Sequence, residues 1–204
     1  MSDTKLSTVD HDRGSAALRY VYPVVSRRAG GVSVGINLNP NNACNWRCIY
    51  CQVPDLTRGT APPVDLAVLE NELRGFLDEL LHGDFMQSRI SEGMRRINDI
   101  ALSGNGEPTS AAEFTHVIEL IARVRRPGVP VILYALGSSH LIEALDETGC
   151  DVLGVDWRTD IAAAARQCPH VTALQGNLDP LALHAPAEDL IARAQAIMAA
   201  MDGA

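Results

Sequence analysis

"VPVILYALGSSHLIEALDETGCDVLGVDWRTDIAAAARQCPHVTALQGN" (residues 129–177) carries the rhythm that sets the fold class of this chain. VPVILYA (129–135), DVLGVD (151–156) and HVTALQGN (170–177) have the length and apolar content of strands. Between them lie SHLIEALDETG (139–149), which Gly149 stops at its C-terminal end, and DIAAAARQC (160–168). Both read as helices. A closing helix is expected in PAEDLIARAQAIMAAM (186–201).

Working outward toward the N-terminus, the same alternation continues more loosely. GVSVGINLNP (31–40) reads as a strand running into an Asn/Pro loop. INDIALSG (97–104) reads as a buried strand ending in the turn GNGEPT. DLAVLENELRGFLDELLH (65–82) spaces Leu66, Leu69, Leu73, Phe76, Leu77 and Leu80 as one helical face, with Asp65 as N-cap. AEFTHVIELIARVRR (112–126) is a second amphipathic helix, and residues 1–20 read as irregular or weakly helical. Five strand–helix pairs in series predict an α/β fold, with a parallel sheet that is either open or barrel-like. In both, chemistry gathers at the C-terminal ends of the strands. The cysteine loop, GNGEP, GSSH, DWR and GNLDP follow the five expected strands in turn.

Composition bounds the function. The 204 residues are 47% hydrophobic but only 4% aromatic, so the core must be aliphatic. The net charge of −8 argues against a nucleic-acid surface. A polar start, MSDTKLSTVD, and no apolar run near ~20 residues lead to the expectation of a cytoplasmic protein without a membrane span. In that compartment the five cysteines are expected as thiols or metal ligands rather than disulfides. Residues 1–126 hold 14 Lys and Arg against 15 Asp and Glu, whereas residues 127–204 hold 3 against 10. The break falls at RVRRPGVP, so a seam is placed at Pro127, between segments 1–126 and 127–204.

CNWRCIYC (44–51) places Cys44, Cys48 and Cys51 in a C-x3-C-x2-C pattern. Three close thiolates can hold three irons of a cubane cluster and leave one iron open. The plainer alternative is a structural zinc knuckle, but zinc usually takes four protein ligands, and no fourth Cys or His is near in sequence. Cys150 and Cys168 read as buried thiols that pack as small hydrophobes. Arg27 and Arg28 read either as a solvated pair or as a carboxylate or phosphate clamp.

The cysteine pattern resembles the signature of radical S-adenosylmethionine (SAM) enzymes, with the aromatic Tyr50 before the last cysteine. SGNGEPT (103–109) is similar to the second signature of that superfamily, and YPVVSRRAGGVSVGINL (22–38) resembles its wybutosine-type Fe–S oxidoreductase subgroup. The resemblance covers roughly residues 21–125. It implies a [4Fe–4S] cluster on Cys44, Cys48 and Cys51, with S-adenosylmethionine chelating the open iron. Tyr50, Gly104, Asn105, Gly106 and Glu107 would contact that cofactor, the two glycines allowing close backbone approach. An electron from the cluster would cleave the sulfonium carbon–sulfur bond, and the 5′-deoxyadenosyl radical would take a hydrogen from a substrate that the sequence does not identify. An electron donor such as a flavodoxin or ferredoxin is the implied partner.

From Val129 onward the sequence looks like uroporphyrinogen decarboxylase, most specifically in GVDWR (154–158) and LQGNLDP (174–180). That resemblance implies late units of a (βα)8 barrel from a cofactor-free family of porphyrin biosynthesis. The family's N-terminal arginine motif, its pyrrole-gripping Asp, its Tyr and its late His cannot be placed in these residues, so decarboxylase activity is expected to be absent. Leu136 stands where the family commonly carries Lys. Asp156, Arg158, Asn177 and Asp179 read as rim residues or, more simply, as caps and turn closers. His140 reads as a solvated or capping residue, and His11, His82, His116, His170 and His184 show no metal spacing.

The combined expectation is a hybrid, partly barrel-like sheet of about two radical SAM βα units and three decarboxylase-barrel units. Its exposed last edges would invite a homodimer. Three functional readings follow: a radical SAM protein, a uroporphyrinogen decarboxylase-type protein, or a non-catalytic fusion product.

Overall fold

The computed structural model describes residues 5–7, 16–26, 30–48, 51, 53–124, 130–134 and 137–201. The chain divides into two compact units, 1–125 and 126–204. Among the described residues the strands form two three-stranded sheets, β1-β2-β3 and β4-β5-β6, where one hybrid sheet was expected. The chain is mixed α/β, and no described helix is long and apolar enough to cross a membrane.

In the first unit, β1 (Val21–Ser26) pairs antiparallel with β2 (Gly31–Ile36), from Val21 opposite Ile36 to Ser26 opposite Gly31. This hairpin departs from the all-parallel expectation. Pro23 obscured β1 in the sequence, since a proline inside an apolar run argues against a central strand; here it sits on the sheet's outer strand, where a missing N–H is tolerated. β2 pairs parallel with β3 (Ile97–Leu102), and a register shift after Val32 places Ser33 opposite Asp99. Ser33 Oγ donates a hydrogen bond to Asp99 across that shift. As the central strand, β2 is buried on both faces and so reads as a nearly continuous apolar run.

Helix α1 (Leu66–His82) lies between β2 and β3 in sequence, as expected. Asp65 caps it by accepting the N–H groups of Ala67 and Val68, both at 3.1 Å. Leu69, Leu73, Phe76 and Leu80 are its buried stripe, each contributing roughly 1.5–3 kcal/mol of burial. On the same helix, Glu72 accepts the N–H groups of Arg19 and Tyr20 at 2.8 Å and of Val21 at 3.3 Å, which fixes the entry to β1. A short helix α2 (Phe85–Arg89) follows, with Phe85 edge-on to Phe76 at 5.2 Å. Helix α3 (Phe114–Val124) buries Val117 and Leu120.

In the second unit, β4 (Ile132–Tyr134), β5 (Val152–Gly154) and β6 (Ala173–Gln175) are all parallel. They occupy the expected runs but are shorter. Leu133, Leu153 and Leu174 stand in register across the sheet and face the core. That core is completed by Ile142 and Leu145 of α4 (Ile142–Asp146), Ala164 of α5 (Ile161–Gln167), Cys150 and Cys168. The two cysteines are buried free thiols, as the sequence suggested. Strand residues alternate between faces, so Ile132 and Tyr134 lie on the opposite side of the sheet and are 52% and 55% exposed. Helix α6 (Ala187–Met201) buries none of its described residues.

Candidate functional site

The cysteine loop leaves the C-terminal end of β2, and the Gly-rich turn leaves the neighbouring end of β3. Parallel pairing therefore brings the two motifs side by side. At the cysteines themselves, the Glu107 N–H donates to Cys44 Sγ at 3.4 Å. Cys44 is buried, Cys48 is partly buried and Cys51 is exposed; all three are free. The Cys51 N–H donates to the Cys48 carbonyl at 3.1 Å. Among the described residues no three His, Cys, Asp or Glu side chains are gathered as a metal site. Tyr50, Arg27, Arg28 and Leu136 lie outside the described residues.

Asparagines build the mouth of the loop. Asn42 Nδ2 donates to the carbonyls of Pro54 at 2.8 Å and Asp55 at 2.9 Å. The Cys44 N–H reaches the Thr57 carbonyl at 3.0 Å, in an isolated bridge between Ala43 and Thr57. Arg58 spans the loop, donating to the carbonyls of Trp46 at 2.6 Å and Cys44 at 3.3 Å. Neither Asn42 nor Arg58 was singled out from sequence. The NPNN run was the available signal, because Asn side chains often bridge nearby backbone groups in tight loops.

The Gly-rich turn is held just as closely. Asn37 and Asn39, both buried, follow β2 directly. Asn37 Oδ1 accepts the N–H groups of Asn39 and Asn105, each at 3.0 Å. Asn39 Nδ2 donates to the Ala43 carbonyl at 2.8 Å. Gly104 has φ +143°, and a Cβ there would overlap the Asn37 side chain; a Cβ on Gly106 would overlap Asn39. The room beside both glycines, expected to admit a bound group, is thus taken by protein. Glu107 turns its carboxylate onto Thr109, accepting the N–H at 3.3 Å and the hydroxyl at 2.8 Å. Asn105 Oδ1 is buried without a hydrogen-bond partner. Cys44, Cys48 and Cys51 are free thiols on one loop, the residue type that ligates iron–sulfur groups, although they are not drawn together here.

In the second unit the strand-end residues serve the backbone. Asp156 accepts the N–H groups of Gly137 at 2.7 Å and Arg158 at 2.9 Å, and the Thr159 hydroxyl at 3.3 Å. Burial alone would push its carboxyl up. The Arg158 and Gly137 N–H bonds, the Thr159 hydroxyl and the Arg158 charge outweigh burial and hold it below the ordinary value. Asn177 Nδ2 donates to the carbonyls of Asp156 at 3.2 Å and Thr159 at 2.6 Å. Asp179 caps the 3-10 turn Pro180–His184 through the Leu181 N–H at 2.9 Å. Arg158 lies over the Trp157 ring at 4.8 Å, and His140 is exposed in the turn Ser139–Leu141. The capping reading of Asp156, Asn177 and Asp179 is the one the contacts bear out. Sequence reasoning missed Asp146, which is buried and accepts the His170 and Val171 N–H groups at 3.1 and 3.0 Å, with its other oxygen 2.6 Å from His170 Nδ1.

Residues 110–204 match the family described as Uroporphyrinogen decarboxylase (URO-D). The uroporphyrinogen decarboxylase of Klebsiella pneumoniae (strain 342) is 58% identical over 59 residues, which cover 29% of this chain and 17% of that relative. Those of Citrobacter koseri and Salmonella arizonae are each 57% identical over 58 residues, covering 28% of this chain and 16% of the relative. The chain spans about a sixth of the length of the curated relatives it matches. The family match starts ahead of α3, earlier than Val129, where the resemblance was placed from sequence. From Ser110 onward, then, the chain carries a segment related to uroporphyrinogen decarboxylase.

Proposed function

We propose that residues 1–126 are a truncated radical SAM domain that binds a [4Fe–4S] cluster and S-adenosylmethionine, fused to a decarboxylase-related segment at 127–204. The observation that carries this reading is the Glu107 N–H on Cys44 Sγ, which couples the cysteine loop to the Gly-rich turn across neighbouring strand ends. Cys44, Cys48 and Cys51 would hold the cluster as thiolates. Asn105 Oδ1, buried and unpartnered, is available to accept a donor from the cofactor. A bound cluster would supply the electron that cleaves the sulfonium carbon–sulfur bond, delivered to it by a flavodoxin- or ferredoxin-type protein. The substrate stays unassigned.

The test is anaerobic reconstitution of the full chain with iron and sulfide. The expected result is a cluster whose EPR spectrum changes on adding S-adenosylmethionine, with 5′-deoxyadenosine released under reduction. A cluster that forms but ignores the cofactor removes the enzyme reading and leaves the ligand assignment in place. No cluster removes both and favours a non-catalytic fusion product.

The family match favours a second reading, that the chain shares the activity named for its relatives. We expect no coproporphyrinogen from uroporphyrinogen, because the family's N-terminal arginine motif, pyrrole-gripping Asp, Tyr and late His are not placed in these residues. Formation of that product would overturn the expectation.

A further inference from the structure

We infer that Asn37 is a positioning residue that clasps the cysteine loop to the Gly-rich turn, and that the response of a bound cluster to S-adenosylmethionine depends on this clasp. The inference rests on the radical SAM reading above.

Asn37 stands directly after β2, where the chain leaves the sheet for the cysteine loop. Its single Oδ1 accepts one N–H from each side of the site: Asn39 on the cysteine-loop side and Asn105 on the turn side, both at 3.0 Å. The two donors are far apart in sequence, so this oxygen holds together two segments that the chain does not. The side chain is buried, so water cannot readily replace the oxygen if it is lost. The contact has been fitted on both sides. Gly104 lacks the Cβ that would overlap Asn37, and Gly106 lacks the one that would overlap Asn39. Asn39 carries the clasp onward to the carbonyl of Ala43, the residue before Cys44. The circuit closes at the Glu107 N–H on Cys44 Sγ.

The bonds made by Asn37 and Asn39 use no cysteine side chain; only the closing Glu107 N–H reaches one, Cys44. Loss of the clasp should therefore leave three cysteines able to take up iron while the turn drifts from the position at which it would meet the cofactor. A positioning error of this kind weakens the ligand that needs both motifs more than the one that needs only the loop.

The test compares Asn37→Ala with Asn37→Asp in the full chain. Aspartate keeps the acceptor oxygen and its length, whereas alanine removes both. After reconstitution with iron and sulfide, N37A should hold wild-type iron per chain. It should need at least ~10-fold more S-adenosylmethionine to produce the EPR change, the cost of about 1.4 kcal/mol in binding. N37D should stay within ~3-fold of wild type. Before reconstitution, amide exchange of Asn39 and Asn105 should be at least ~10-fold faster in N37A and unchanged in N37D.

An unchanged cofactor dependence in N37A would overturn the inference, as would equal loss in both variants. So would loss of iron in N37A, which would make Asn37 a general structural residue. Unchanged amide exchange in N37A would overturn the clasp itself, whatever the cluster does. A wild-type cluster that ignores the cofactor sinks the parent reading and the cofactor dependence with it. In that case the exchange data still decide whether the clasp exists, so the two failures are told apart.

Discussion

Asp156 accepts the Gly137 N–H at 2.7 Å, so the end of β5 holds the connection that leaves β4. The carboxylate is buried and its folded-state pKa is depressed. A depressed carboxyl contributes stability above its unfolded value, about 3.9, and that stability is lost as pH falls through the lower folded value. Asp156→Ala should cost the second unit about 1–3 kcal/mol at pH 7, since it strands two N–H donors. The difference between wild type and D156A should shrink as denaturation is followed from pH 5 to pH 2. A pH-independent difference would show that the charge is not what matters.

Cys44 and Cys51 should behave differently when each is changed to alanine. Either change should lower iron uptake on reconstitution. Cys51 is exposed, so C51A should leave thermal unfolding within about 0.5 kcal/mol of wild type. Cys44 is buried and receives the Glu107 N–H, so C44A should cost about 1–3 kcal/mol. Equal iron uptake in wild type and both variants would remove the thiols as ligands.

Gly104→Ala should destabilise the first unit by at least about 1–3 kcal/mol, the strain of a side chain at φ +143°, with the overlap on Asn37 added. Gly93→Ala is the control, since a Cβ there meets nothing within 4 Å. Chemical denaturation of the two variants separates the cases. A G104A protein as stable as wild type would mean that the turn adopts another conformation.

Much of the scaffold was legible in the sequence. α1 was visible because one stripe of leucines and a capping Asp65 are local signals. The alternation of the second unit was visible for the same reason, although HVTALQGN yielded only the three residues of β6. β1 was hidden by Pro23, and with it the antiparallel pairing to β2. Asn37 was invisible as a clasp because its partner Asn105 is 68 positions away, and an asparagine does not announce which distant N–H it will meet. The three cysteines could be found by spacing alone; the contact that joins them to GNGE could not.

Alkylation should rank the thiols. Cys51 should react first at neutral pH. Burial pushes the Cys168 thiol up, and the nearby Asp146 and Cys150 push it further, so it stays protonated and slow. The stability of a raised thiol is intact below the unfolded value of about 8.5 and is lost as pH rises through the higher folded value. Peptide mass spectrometry after timed iodoacetamide treatment at pH 7 and pH 9 checks this order. Labelling of Cys168 as fast as Cys51 at pH 7 would contradict it.

The chain holds two tryptophans, and each unit has one. Trp46 sits inside the cysteine loop, 56% exposed, with its carbonyl held by Arg58. Trp157 sits beneath the Arg158 guanidinium in the second unit. Fluorescence can therefore be assigned by position. With Trp157→Phe, the remaining emission comes from a ring two residues from Cys44 and two from Cys48, where iron uptake should quench it. With Trp46→Phe, the emission follows the unfolding of the decarboxylase-related segment alone.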